Sequence, residues 1–175
     1  MKISKDQIQQ LRQETSCGVM DCRKALLETK GDIQKAKKAL LRRGLEIAAK
    51  KSGRSANEGK IESYVHLGNK IGVLVEVNCE TDFVARNEDF SKFAKDIAMQ
   101  IAAARPQFLK REDVPKEELK GVKDKEEFYK QNCLMEQAFI KDQNLTIKDY
   151  LSSIVAKIGE NIIIRRFVRY KLGAE

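Results

Sequence analysis

Hydrophobic residues recur at helical spacing at the start of the chain. Ile8 and Leu11 mark one apolar face, and Ser4 with Gln7 has the spacing of a capping box. Ile3 and Ile8 flank that box as a hydrophobic staple. The pattern predicts a first helix that begins at Ser4 and ends before a Ser-Cys-Gly break.

Two further helices are predicted in the same region. The second runs from about Val19 to Thr29, and its inward positions follow helical spacing: Val19, Cys22, Ala25 and Leu26. Gly31 suits the end of that helix, and Asp32 suits the N-cap of the third, which we expect to end near Gly44. Three short helices of this kind predict a small bundle.

Two strands with period-two alternation follow. One apolar row holds Ile61, Ser63, Val65 and Leu67, and the other holds Ile71, Val73, Val75 and Val77. A two-residue loop would pair Leu67 with Lys70 and place the rows on opposite faces, whereas a three-residue loop pairs Leu67 with Ile71 and unites them. Because a common buried face usually fixes register, we predict the three-residue loop.

The remaining elements alternate helix with strand. Asn87 is expected to cap a long helix with a continuous apolar stripe, and a less regular helix is expected over roughly 116–135. Thr146 begins another helix that Gly159 closes, and 161–171 is predicted to be a third strand. The predicted class is α+β: a three-helix bundle, then a small antiparallel sheet with helices on one side.

The charge is unevenly distributed. The 175 residues carry a formal net charge of +8, and residues 1–57 hold 14 Lys and Arg against 6 Asp and Glu, while the rest of the chain is balanced. The segment KKSGRSANEG at 50–59 has the composition of a linker. We therefore expect a bundle over 1–52, a linker over 53–58 and an α+β domain over 59–175, with the first unit facing an acidic partner.

Candidate catalytic chemistry is scarce. We find no phosphate-binding loop, no dinucleotide fingerprint and no metal-ligand spacing, so we expect no catalytic residue, no metal and no cofactor. The four cysteines lack disulfide or zinc spacing, and no apolar run is long enough to span a bilayer. These observations predict a cytoplasmic protein with reduced thiols, no membrane contact and no bond-making activity.

The connection from the second strand to the long helix admits two interpretations. It could be an ordinary β-to-α turn with Phe83 packed in the core. Alternatively, Phe83 beside Asp82 could project from a rigid scaffold into another protein. The second interpretation is favoured, since the long helix has its own apolar stripe from Phe90 onward.

Three motifs resemble those of translation elongation factor Ts. They are Thr15-Ser16-Cys17-Gly18-Val19-Met20-Asp21-Cys22-Arg23-Lys24-Ala25-Leu26, Asn78-Cys79-Glu80-Thr81-Asp82-Phe83-Val84-Ala85-Arg86-Asn87 and Leu134-Met135-Glu136-Gln137-Ala138-Phe139. The chain is similar to a short form of the family, with one copy of the core sheet. The resemblance implies an exchange factor that promotes GDP release from the GTPase elongation factor Tu, and short forms of the family suggest a homodimer.

The resemblance also implies roles for individual residues. The bundle would be of the ubiquitin-associated type, with Val19 and Met20 touching the GTPase. In the family the segment from Thr81 to Asn87 enters the GTPase near its magnesium ion. The intruding side chains would be Asp82 and Phe83, followed by Val84, with Arg86 and Asn87 holding the loop.

Two other functions fit parts of the sequence. The basic first unit is compatible with a ribosome-associated RNA-binding protein, but it lacks the aromatic platforms and motifs of that class, and we expect no direct nucleic-acid contact. The three-helix bundle alone would also fit an adaptor for ubiquitin-like proteins, although a fold does not establish a function.

Overall fold

Three helices form the N-terminal bundle in the computed structural model, which describes residues 3–15 and 17–174. They are α1 (Lys5–Thr15), α2 (Val19–Glu28) and α3 (Ile33–Lys51). The capping box is present, since the Ser4 and Gln7 amides each donate to the other's side chain at 3.1 Å. The bundle core consists of Leu11, Cys22, Ala25, Leu26, Ala36 and Leu40.

A three-stranded antiparallel sheet is the centre of the second unit, with strand order β1-β2-β5. Its strands are β1 (Glu58–Val65), β2 (Ile71–Cys79) and β5 (Ile163–Lys171). Between β2 and β5 lie α4 (Asp82–Ala85), α5 (Glu88–Ala104), α6 (Lys125–Asn132), β3 (Ala138–Phe139), β4 (Asp142–Thr146) and α7 (Ile147–Ile158). This architecture confirms the α+β prediction.

One face of the sheet packs against α5. Val73, Val75 and Val77 of β2 are buried together with the apolar stripe of α5: Phe90, Phe93, Ala94, Ile97, Ala98 and Ile101. The Asn87 side chain caps α5, as predicted, by accepting from the Asp89 amide at 2.8 Å. Within the described ranges, no helix is both long and apolar enough to cross a membrane.

The predicted register of the first hairpin is wrong by one residue. Val65 pairs with Gly72 and Tyr64 with Val73, so the two apolar rows lie on opposite faces of the sheet. The prediction assumed that all apolar strand residues share one buried face. Instead the β2 row alone faces α5, and the β1 row from Ile61 to Val65 is exposed on the other side.

The third helix continues to Lys51 instead of ending near Gly44. Gly44 is buried, and a Cβ placed on it would lie 3.6 Å from the Ser152 carbonyl oxygen and 3.9 Å from the Ala156 Cβ on α7. The glycine therefore allows two helices to pack closely and does not end α3. Val19, predicted to be buried, is 46% exposed, because the bundle core begins one turn later at Cys22.

The segment between α5 and α7 also differs from the prediction. The helix expected over 116–135 is limited to α6, and the hairpin β3–β4 was not predicted. Gln100, a fully buried side chain on α5, accepts from the Ile140 amide at 2.9 Å and donates to the Ala138 carbonyl at 3.1 Å. The side-chain amide of Gln100, about forty positions away, therefore stabilises this hairpin. Such a contact produces no periodic pattern in the sequence, so the hairpin could not be predicted.

The contact at Gly44 predicts a graded response to side-chain size. Gly44→Ala adds a methyl group at ordinary contact distance and gains up to about 1 kcal/mol of helix propensity, so it leaves stability equal or higher. Gly44→Leu overpacks the helix pair and lowers the free energy of unfolding by about 1–3 kcal/mol. Urea unfolding of both variants measures the difference, and equal stability of the two would contradict the packing.

Candidate partner-binding site

The loop after β2 presents one large apolar side chain to solvent. Thr81 is the N-cap of α4, and its hydroxyl oxygen accepts from the Val84 amide at 3.4 Å. Val84 and Ala85 pack against the core, whereas Phe83 is 79% exposed. The short helix therefore anchors one side in the protein and points Phe83 outward.

Hydrogen bonds fix the backbone immediately before Phe83. The amides of Glu80 and Thr81 both donate to Glu160 Oε2 at 3.1 Å, and the Thr81 hydroxyl donates to Glu160 Oε1 at 2.7 Å. On the other side, the Cys79 thiol donates to the Thr81 carbonyl at 3.1 Å. All polar groups of Thr81 thus have partners inside this protein.

The charged residues of the motif lie at its surface. Arg86 Nη2 is 2.7 Å from Asp82 Oδ2, in an exposed pair one helical turn apart. Asn87 is occupied as the cap of α5, where its side chain also accepts from the Phe90 amide at 3.4 Å. Phe83, Arg86 and Asn87 are therefore exposed on the loop, Asp82 is half-buried, and Val84 packs against the core.

A second exposed apolar site lies on the bundle. Val19 and Met20 occupy the first turn of α2, and Met20 is 70% exposed. Cys22, Ala25 and Leu26, which follow on the same helix, are buried in the bundle core. The sequence-predicted residues thus form two groups, one on the bundle and one on the loop after β2.

Sequence reasoning missed the residues that support the loop. Glu160 and Asn161 follow α7, about eighty positions after Thr81, and Arg54 lies in the connection between the two units. The Asn161 amide donates to Glu80 Oε1 at 2.6 Å, and its side chain donates to the Arg54 carbonyl at 2.7 Å. Glu160 directly follows Gly159, which ends α7, and this position was the only sequence feature that could have drawn attention to it. Nothing in the sequence linked Glu160 to Thr81.

Two observations concern the metal-ligating and thiol groups of the described residues. Among residues 3–15 and 17–174, no group of three His, Cys, Asp or Glu side chains is placed to hold a metal ion. Burial raises the pKa of the Cys79 thiol to about 11, and the nearby Glu160 carboxylate adds to the rise. A thiol that stays protonated is a hydrogen-bond donor and a poor nucleophile.

The family model and the relatives that match this sequence carry the same description. The sequence matches the family model described as Elongation factor TS over residues 2–127 and 120–174. A protein named Elongation factor Ts from Caldanaerobacter subterraneus subsp. tengcongensis is 49% identical over 194 aligned positions, covering 98% of this chain and 97% of that protein. One of the same name from Anaeromyxobacter sp. (strain K) is 51% identical over 195 positions, covering 98% and 89%.

The buried thiol predicts slow alkylation at Cys79. At pH 8 a pKa of about 11 leaves roughly a hundredfold less thiolate than in the unfolded chain, and burial slows access further. Iodoacetamide labelling followed by mass spectrometry is expected to modify the half-buried Cys17 before Cys79. Labelling of Cys79 in the native protein at the rate seen in urea would contradict its assigned environment.

Proposed function

Since this chain belongs to the elongation factor Ts family, we propose that it is a guanine nucleotide exchange factor that promotes GDP release from elongation factor Tu during translation elongation. The exposed Phe83 on an internally fixed loop is the observation that carries this proposal. An apolar side chain held rigidly in solvent is typical of residues that dominate protein–protein binding.

The proposed mechanism is a thermodynamic coupling between two binding events. Asp82 and Phe83 insert into the nucleotide-binding domain of the GTPase in an arrangement that bound GDP and magnesium disfavour. The loop then weakens GDP binding by the same factor by which GDP weakens loop binding. The exchange factor makes and breaks no covalent bond, so it needs no nucleophile or cofactor of its own.

The ion pair in the loop fits this mechanism. Asp82 and Arg86 pair with each other at the surface, and exposed pairs of this kind contribute about 0–1 kcal/mol. Little free energy is therefore lost when a partner separates them. Val84 anchors α4 to the core, and Asn87 caps the start of α5.

The bundle supplies a second contact in this proposal. Val19 and Met20 are exposed on α2 and are free to meet the same GTPase domain. The chain then acts as two units, residues 1–52 and 59–175, joined at 53–58. Two weak contacts on one chain bind more tightly than either alone, because the second one forms at high effective concentration. We assign the activity to the cytoplasm, where translation takes place.

We also propose that two copies of the chain associate through the outer face of the sheet. This face, which points away from α5, exposes five apolar side chains: Ile61, Val65, Leu74, Val168 and Tyr170. Glu76 and Arg166 on this face form an ion pair at 2.7 Å, which reduces the charge that an identical copy would meet there. Two such faces can pack as a sheet-on-sheet sandwich.

Replacing Phe83 tests the exchange proposal. Phe83→Ala keeps the fold, because the ring is exposed, but removes about 2–4 kcal/mol of binding to the GTPase. Release of fluorescent GDP from elongation factor Tu should therefore slow by at least about thirtyfold at limiting exchange factor. Ile140→Ala, an exposed apolar residue on the β3–β4 turn, is the matched control and keeps full activity. Unchanged release with folded Phe83→Ala would rule out the role.

Light scattering tests the proposed association. The wild-type chain should have the mass of a dimer at micromolar concentration, and Leu74→Lys at the centre of the outer face should convert it to a monomer. Ile140→Lys serves as the control, since Ile140 and Leu74 are similarly exposed at 38% and 47%. A wild-type monomer at high concentration, or a dimeric Leu74→Lys variant, is incompatible with this interface.

A further inference from the structure

The turn after α7 and the loop after β2 exchange hydrogen bonds in both directions. Glu160 accepts from the amides of Glu80 and Thr81, while Glu80 accepts from the amide of Asn161. We propose that Glu160 is a positioning residue that sets the pose of Phe83 before any partner is bound. The proposal deepens the function given above and rests on it.

The short helix that carries Phe83 is not stable by itself. Four residues are far below the length at which an isolated helix is stable in water. Its N-cap must therefore be fixed from outside, and the Glu160 carboxylate lies at that end. The orientation of Phe83 depends on this carboxylate through the backbone of Thr81.

The Thr81 hydroxyl transmits this constraint. A hydroxyl has one hydrogen, and here it points to Glu160 Oε1 at 2.7 Å. Its oxygen lone pairs are left to accept from the Val84 amide, the first capping bond of α4. One side chain from the turn after α7 thus sets both the backbone and the cap that precede Phe83.

A neutral amide cannot replace the carboxylate here. Three donors converge on Glu160, and an ionised carboxylate offers acceptor sites on both of its oxygens. A glutamine would keep one oxygen and turn an NH₂ group toward N–H or O–H donors. The bond that the Thr81 hydroxyl donates would be lost or reversed, and the remaining bonds would weaken, because bonds to a charged acceptor are the stronger kind.

The same cluster ties the loop to the bundle. The Arg54 guanidinium lies 3.6 Å from Glu80 Oε1. The Arg54 carbonyl accepts from the Asn161 side chain, and Lys51 at the end of α3 donates to the Gly159 carbonyl. The turn after α7, which contains Glu160, therefore links the loop that carries Phe83 to the end of α3.

Preorganisation is the functional consequence. A loop that is ordered before binding loses little conformational entropy on docking, which strengthens binding without any new contact. Glu160 does not touch the partner in this proposal. Its entire effect passes through Phe83, and that dependence separates it from a residue that merely stabilises the fold.

Amide hydrogen exchange in the free protein tests the first step. In Glu160→Gln, the Glu80 and Thr81 amides should exchange at least about tenfold faster than in wild type, while the amides of Val75 and Val77 in the central strand keep their rates. Glu136→Gln, which disrupts an ion pair with Arg111, is the control and leaves the Glu80 and Thr81 amides unchanged. Faster exchange throughout β2, or no change at Glu80 and Thr81, would overturn the assignment.

A double-mutant cycle on GDP release tests the second step. Glu160→Gln should slow the release stimulated by the wild-type chain about tenfold, yet slow it less than about twofold in the Phe83→Ala background. Thr81→Val, which removes the hydroxyl but keeps the carboxylate, should show the same dependence on Phe83. An equal loss in both backgrounds would mean that Glu160 acts on overall stability, and positioning would be wrong.

The two proposals fail in different ways. If the wild-type chain does not accelerate GDP release, the exchange function is wrong. If the wild type does accelerate release and Glu160→Gln does so equally well, only the positioning role is wrong. Circular dichroism of every variant at the assay temperature confirms that folded proteins are compared.

Discussion

Burial of one face of β2 against α5 is the contact on which the rest of the second unit depends. Val73, Val75 and Val77 alternate along the central strand and remove the apolar stripe of α5 from water. Both neighbouring strands pair with β2, so its orientation determines theirs. The loop that carries Phe83 begins where β2 ends, and α5 begins where that loop ends. The loop that carries Phe83 is therefore held between two elements of the domain core.

Local patterns were sufficient to predict the elements that contain their own signals. The predicted helix starts at Ser4, Thr146 and Asn87 are all present, because each cap is completed by a residue within one turn. The apolar stripe of α5 could also be predicted, because its residues follow one another at helical spacing. By contrast, Gly44 was interpreted as a helix end, since the sequence could not show that α7 packs against it.

The register of the β1–β2 hairpin could not be predicted by assuming that all apolar strand residues are buried on one face. The prediction united the two apolar rows because exposed apolar strand faces are unfavourable for an isolated chain. The protein instead leaves the β1 row on the outer face, together with Leu74 and Tyr170. Within the candidate site, Phe83 and Met20 could be predicted from motifs. Glu160 and Arg54 could not, because their roles arise from contacts between segments far apart in sequence.

The close packing of α3 on α7 at Gly44 has a consequence for selectivity. Gly44 has no side chain to separate α3 from α7, and Lys51 and Arg54 add polar contacts nearby. These contacts restrict movement of the first unit relative to the second. The distance between the exposed side chains of Met20 and Phe83 is then nearly constant. Under the proposed function, a GTPase with suitable surface chemistry but a different spacing between its two docking points would be rejected by geometry alone.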